Sequence, residues 1–416
     1  MLINFSKNIS IVTVTAILLV GCSQADEAQK QPAINAQTIH KNTLVLDSHV
    51  DLELELIAED MDPWSSGKSR VDLEKMKTGG MDGAFLIVFS PQGEDTKEAI
   101  SVAAKIAETR YQAIDRLTKK HGAEIELALS ADAARRIHKT GKRIALIGLE
   151  NAYPLGHSVD DVSMWADRGV RYMGITHVGH NQFGDSSNPS YSKGETQSLH
   201  GGLSPLGKDL ISAMNTAGII VDVSHAGKDT MLQAVALSKT PVIASHSGAR
   251  GVSDNVRNLD DEQLQALAKT GGVIQIVAYG PYLKDLTPEQ QAFKDNVRKE
   301  MGLEDDMAFL SMDGPTEESY DTKMEAASKL SPPADISDLV NHIDYVVKTI
   351  GIDYVGISSD FDGGGKIPGW MDASETLNVT KELVNRGYSS EDIDKIWGGN
   401  LLRVLEAVQV YAQNNE

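Results

Sequence analysis

The feature that most constrains this chain is a rhythm of short apolar runs, six of which stop at a side chain able to bind a metal or move a proton. Eight runs, at 44–49, 83–89, 144–150, 172–177, 219–225, 242–246, 273–277 and 354–360, alternate with longer amphipathic stretches. Helices are predicted at 96–121, 206–217, 260–269 and 336–350, among others. Strands spaced by helix-length segments read as βαβ units of a parallel sheet. Eight such units favour a closed (β/α)8 TIM-type barrel over an open doubly wound sheet. In a barrel all strands point the same way, so their C-terminal ends meet at one mouth, where barrel enzymes keep their active sites. The six runs that stop at reactive groups end in His49, Glu150, His177, His225, His246 and Asp360. One segment breaks the rhythm: 282–335 is long, charged and Met-rich, and is expected to be a helical insertion between strands 7 and 8.

His49-Val-Asp51 sets an imidazole and a carboxylate two residues apart at a strand end, so both project to the same side. The pair suits a first-row divalent ion such as zinc. Glu150 closes an apolar run, where an unpaired carboxylate would be costly; a metal or a salt bridge would satisfy it. His225 and His246 end consecutive runs with the same apolar–Ser–His pattern. Singly, each of these residues has a plain structural explanation, such as a chance spacing, an ion pair or a packed core histidine. Together, five ligands exceed what one tetrahedral zinc ion needs. They suit two ions, about 3.5–4 Å apart, sharing a bridging carboxylate and a bridging hydroxide nucleophile.

The remaining roles have candidates. His177 can polarise a scissile carbonyl, and Asp360 can orient water and pass its proton to a leaving amine. Arg257 can grip a carboxylate with its bidentate fork, or sit in a surface ion pair. His121, His138 and His342 fall in helical stretches and read as surface or packing residues. His180 and His200 lie in the loop after the fourth run, near the mouth. Asp362 lies beside Asp360, and the strand-end position favours Asp360.

With 41% hydrophobic and 24% charged residues the composition is that of a globular protein. A formal net charge of −20 argues against nucleic acid and against electrostatic docking on anionic lipid. The single cysteine, Cys22, excludes intrachain disulfides and thiolate metal clusters, which leaves metals to the 11 His and 59 acidic residues. Residues 1–21 have the positive start and short apolar core of a signal peptide. They run into Leu19-Val20-Gly21-Cys22, which resembles a bacterial lipobox. The expectation is a lipoprotein lipidated at Cys22, tethered by 22–38, with the barrel over 39–416 facing the periplasm from a cell-envelope membrane. An ordinary secretory signal with a chance cysteine is the alternative.

These residues, in this order, resemble the renal-type (membrane) dipeptidases of the metal-dependent hydrolase superfamily. The blocks are Asp47-Ser-His-Val-Asp51, Gly148-Leu-Glu-Asn151, Tyr172 to His177, Ile220-Val-Asp-Val-Ser-His225, Pro241 to Ser247, Val256-Arg-Asn258, Gly356 to Gly363 and Gly399-Asn-Leu-Leu-Arg403. The resemblance implies one metal on His49 and Asp51, a second on His225 and His246, and Glu150 bridging. It further implies that His177 contacts the substrate carbonyl, Arg257 binds the C-terminal carboxylate, and Asp360 is the acid/base. Two zinc ions (or other divalent ions), a homodimer, and dipeptides with an L or D second residue follow from it too. The sequence departs from the mammalian pattern around 151–158 and in the 282–335 insertion. Two other readings stay open: a binuclear amidohydrolase acting on another small amide, lactone or phosphoester, and a periplasmic binding lipoprotein without catalysis.

Overall fold

The computed structural model describes residues 1–2, 35–52, 62, 64, 69–191, 194–304, 308–309, 312 and 314–415. Cys22, the apolar leader and most of the expected tether lie outside these residues. The compact unit runs from Asn35, a little ahead of the boundary expected at 39, because Asn35 caps a helix over Ala36–Asn42. Among the described residues no helix is long and apolar enough to cross a membrane.

Nine strands form one parallel sheet: β1 (Leu46–Val50), β2 (Gly83–Phe89), β3 (Ile125–Leu127), β4 (Arg143–Glu150), β5 (Val170–Gly174), β6 (Ile220–Asp222), β7 (Ile243–Ser247), β8 (Val273–Val277) and β9 (Val355–Ser358). Eight of them follow one another around a barrel, and β3 stands off that path, paired only with the start of β4. The ring closes between its last and first strands. Asp360 N donates to His49 O (3.1 Å), Asp51 N donates to Phe361 O (2.9 Å), and Ser359 N donates to the Asp47 carboxylate (3.0 Å). Three-residue β3 was not foreseen; one turn of alternation is too short a signal to read.

The strands are apolar because a parallel barrel buries both faces. Leu46, Phe85, Ile144, Tyr172, Ile220, Ile243 and Val273 form one cluster, joined by Leu401, Leu402 and Leu405 of the C-terminal helix Asn400–Gln413. The predicted helices appear where their caps require. Thr96 caps Lys97–Lys120, Ser204 caps Pro205–Ala217, and Asp260 with Gln263 makes a capping box on Asp261–Lys269. Asp335 caps Ile336–Ile350.

The insertion between β8 and β9 is helical, as expected. It runs through Gly280–Leu283, Pro288–Glu300, Gly314–Met324 and a 3-10 segment Glu325–Lys329. Val297, Leu303 and Tyr320 give it a small apolar cluster of its own, with Phe293, Met301 and Met324 packed against them.

Candidate metal centre

The strand ends bring seven of the expected residues into one buried cluster around the Glu150 carboxylate. Its Oε1 lies 3.0 Å from His225 Nε2, 3.3 Å from His246 Nε2 and 3.8 Å from His177 Nε2. Its Oε2 lies 3.6 Å from His49 Nε2, which is itself 3.4 Å from Asp51 and 3.9 Å from Asp360. Donor atoms fall into three overlapping groups: His49–Glu150–His246, Glu150–His177–His225 and His49–Asp51–Asp360.

Local backbone geometry explains how the chain delivers them. His49, Glu150 and His246 sit on strands, but His177, His225 and Asp360 stand three, three and two residues past the ends of β5, β6 and β9. This corrects the expectation that all six terminate strands. His225 (φ 64°), Asp360 (φ 59°) and Asn151 (φ 73°), the residue after Glu150, adopt the left-handed conformation, which non-glycine residues seldom hold without compensation. The compensation is visible at Asn151, whose side chain donates to Ser90 O and accepts from Tyr153 N and Asn181 Nδ2. Gly363 completes the turn after β9. A Cβ there would fall 2.4 Å from Asp51 Oδ2 and 2.7 Å from Asp360 Oδ1, so only glycine leaves room for both carboxylates.

The electrostatics call for positive charge at the centre. Burial alone would raise the Glu150 pKa, but the surrounding imidazoles, His49 first, hold it well below the usual carboxylate range. Burial would likewise lower His49, yet the Glu150 and Asp51 carboxylates outweigh it and raise its pKa well above the ordinary value. His225 and His246 are pushed far down by burial, with Arg257 adding to it, and His177 is lowered by burial. Burial, reinforced by Asp51 and Glu150, pushes Asp360 up to about 8 against the pull of His49.

A metal fits this donor set. His49 Nε2 is buried without a hydrogen-bond partner, and the Nε2 atoms of His225 and His246 face each other at 2.8 Å beside one ionised carboxylate. Imidazoles and carboxylates gathered in one buried shell are what a first-row divalent cation takes, and among the described residues no thiolate competes.

Arg257 is 2% exposed and lies at the edge of the cluster. Its Nη2 donates to His246 O (3.2 Å), its guanidinium stacks over Tyr282 (5.3 Å), and its Nε has no hydrogen-bond partner among the described residues. It is no surface ion pair. The other polar residues near the mouth hold loops. His180 accepts from Ser186 N and contacts Thr196 O, and His200 contacts Asn181 O. Asp362 accepts from Ser69 and Arg70 N, which leaves Asp360 as the inward carboxylate.

Several buried residues escaped the sequence reading. Tyr172 Oη lies 2.8 Å from His49 Nδ1, and Ser245 Oγ lies 2.9 Å from His246 Nδ1 and 2.7 Å from Asp222. Arg110, on the helix Lys97–Lys120, reaches Leu52 O (2.7 Å) and comes within 3.9 Å of Asp51. Asp222 was legible as a charge inside an apolar strand; Arg110 was masked by its ordinary helical surroundings.

A parallel eight-stranded barrel with a His/Asp/Glu cluster at its C-terminal mouth is the architecture of a metal-dependent barrel enzyme. The profile of the family "Membrane dipeptidase (Peptidase family M19)" matches residues 34–416, and the chain belongs to that family. It is similar to dipeptidase tcpJ of Claviceps purpurea (strain 20.1), at 30% identity over 83% of this chain and 71% of that protein. It also resembles the crystal structure of the probable dipeptidase PvdM from Pseudomonas aeruginosa, at 35% identity and a TM-score of 0.81, covering 91% of this chain and 98% of that one. A structure described as dipeptidase AC shares the fold at 20% identity and a TM-score of 0.70, covering 88% of this chain and 99% of that one.

Proposed function

We propose that the chain hydrolyses the amide bond of dipeptides, L-Xaa-L-Xaa and L-Xaa-D-Xaa, with two divalent ions, zinc foremost, held by His49, Asp51, Glu150, His225 and His246. The observation that carries the reading is a single ionised carboxylate, Glu150, faced by four imidazoles, with a buried guanidinium at its rim. When bound, the ions supply a nucleophile at neutral pH and polarise the scissile carbonyl.

The protein's own groups do the rest. Arg257, desolvated and stacked on Tyr282, offers its guanidinium fork, whose Nε–H has no partner among the described residues, to the substrate's C-terminal carboxylate. That grip fixes the distance from carboxylate to scissile bond, which limits productive substrates to one residue beyond it. His177, beside His225 and Glu150, is placed to donate to the carbonyl oxygen as charge develops there. Asp360 takes a proton from the attacking water and returns it to the leaving amine; burial, with Asp51 and Glu150 beside it, raises its pKa to about 8 in the metal-free protein. A cation bound beside it would lower that value.

Replacing Arg257 with Leu should raise KM for a dipeptide by roughly 10- to 150-fold, the loss of one charge-assisted contact of about 1.5–3 kcal/mol. It should also erase the preference for the dipeptide over its C-terminal amide. An unchanged preference would remove Arg257 from this role.

We also propose a lipid anchor at Cys22, a periplasm-facing location and a homodimeric assembly. The lipobox-like stretch supports the anchor, and the dimer is carried only by the resemblance to the renal-type dipeptidases. Cys22→Ala should move the full-length protein from the membrane fraction to the soluble one, and retention in the membrane fraction would refute lipidation.

A further inference from the structure

The barrel interior carries a polar layer directly beneath the metal centre, and its hydrogen bonds have a direction. Tyr172 is fully buried, and its ring occupies space that exists only because residue 148 is glycine: a Cβ on Gly148 would lie 2.3 Å from Tyr172 Cζ. The phenol is thereby lifted along the barrel until its Oη reaches both Ser48 O (3.1 Å) and His49 Nδ1 (2.8 Å). A backbone carbonyl can only accept, so the phenol proton goes to Ser48 O and the phenol oxygen is left to accept Nδ1–H from His49.

The same logic runs on the neighbouring strands. Asp222 Oδ2 accepts from Ser245 Oγ (2.7 Å), while its Oδ1 accepts from Ser224 N (3.0 Å) and Ser245 N (2.9 Å). With its proton spent on Asp222, Ser245 Oγ accepts Nδ1–H from His246 (2.9 Å). In both histidines Nδ1–H is engaged inside the barrel, which leaves Nε2, facing Glu150, as the nitrogen that a metal would take in exchange for any proton there. The Nδ1 atoms of His177 and His225 have no such partner among the described residues.

We propose that Tyr172 and Ser245, the latter backed by Asp222, are positioning residues that fix His49 and His246 in the metal-binding tautomer from inside the barrel. Hydroxyls take the place here of the carboxylates and carbonyls that more often orient histidine ligands. The proposal rests on the reading that His49 and His246 bind metal.

The test is metal affinity, measured by competition with a chromophoric chelator on the full-length protein with the His49 and His246 rings intact. Tyr172→Phe keeps the ring and its contact with Phe85 and deletes only the hydroxyl. It should weaken zinc binding by roughly 10- to 100-fold, as loss of such orienting partners does. The metal-free protein should still fold and unfold in one transition, and excess zinc should restore kcat with KM unchanged. Ser245→Ala should act likewise, giving a second reading should Tyr172→Phe fail to fold. Variants that bind zinc as tightly as the unaltered protein would overturn the positioning role while leaving the metal site standing. An unaltered protein that binds no zinc would overturn both.

Discussion

At the scale of single residues, the cluster separates groups that hold a cation from groups that handle protons. Asp360 shares a donor group with His49 and Asp51, yet its raised pKa sets it apart from Glu150, held ionised by its imidazoles. Environments that push two carboxyls in opposite directions mark out different tasks. Asp360→Asn keeps the shape and removes the titration. It should lower kcat by about 10²–10⁴ while zinc content stays at the level of the unaltered protein. Loss of zinc in parallel with activity would make Asp360 a ligand instead.

The residue types at this centre were legible because a parallel barrel demands apolar strands, and each polar interruption at a strand end needs a reason. What the sequence could not reveal was the left-handed turn that carries His225 and Asp360 past the ends of β6 and β9. Those two were read as strand residues because no glycine or proline separates them from the apolar runs. Tyr172 was legible only as part of a familiar block, since a tyrosine in an apolar strand looks like any core aromatic.

At the scale of elements, the site depends on how the insertion is moored. His342, on the helix Ile336–Ile350, accepts from Ala249 N through Nδ1 (2.9 Å) and pairs its Nε2 with Leu283 O (3.0 Å). It thus ties the loop after β7 to the helix Gly280–Leu283, which carries Tyr282 beneath Arg257. Reading His342 as a packing residue was right, but its reach to both loops was invisible in a helical pattern. An accepting Nδ1 requires a neutral ring, and burial lowers the pKa of His342 from its ordinary 6.5. The sign follows: below that value the unfolded chain binds a proton the folded chain refuses, so stability is present above pH 6.5 and is lost as pH falls. Unfolding free energies of metal-free protein from urea titrations should therefore drop between about pH 7.5 and about pH 5.5, by up to roughly 1.4 kcal/mol per pH unit for this one proton. His342→Asn should reduce that slope by one proton's share, the rest staying with His177, His225 and His246, which burial also lowers; an unaltered slope would show that His342 does not contribute.

At the scale of the whole molecule, one barrel gathers residues from positions 49 to 360 at a single mouth. Its closing hydrogen bonds, Asp360 N to His49 O and Asp51 N to Phe361 O, join the backbones of the site residues themselves. The same strand ends close the ring and carry the site, so both were legible from the same eight-fold rhythm. The insertion was legible as an interruption but not in its function, because its apolar cluster is its own and its surface is charged.

The central claim is that this cluster hydrolyses dipeptides only when loaded with metal. The direct measurement strips the full-length protein with a chelator, then follows amino-acid release from L-Ala-L-Ala and L-Ala-D-Ala during stepwise return of zinc. The account predicts no release from the stripped protein, and recovery that saturates near two zinc ions per chain. Hydrolysis at an undiminished rate by metal-free protein, or no release at any zinc loading, would contradict it.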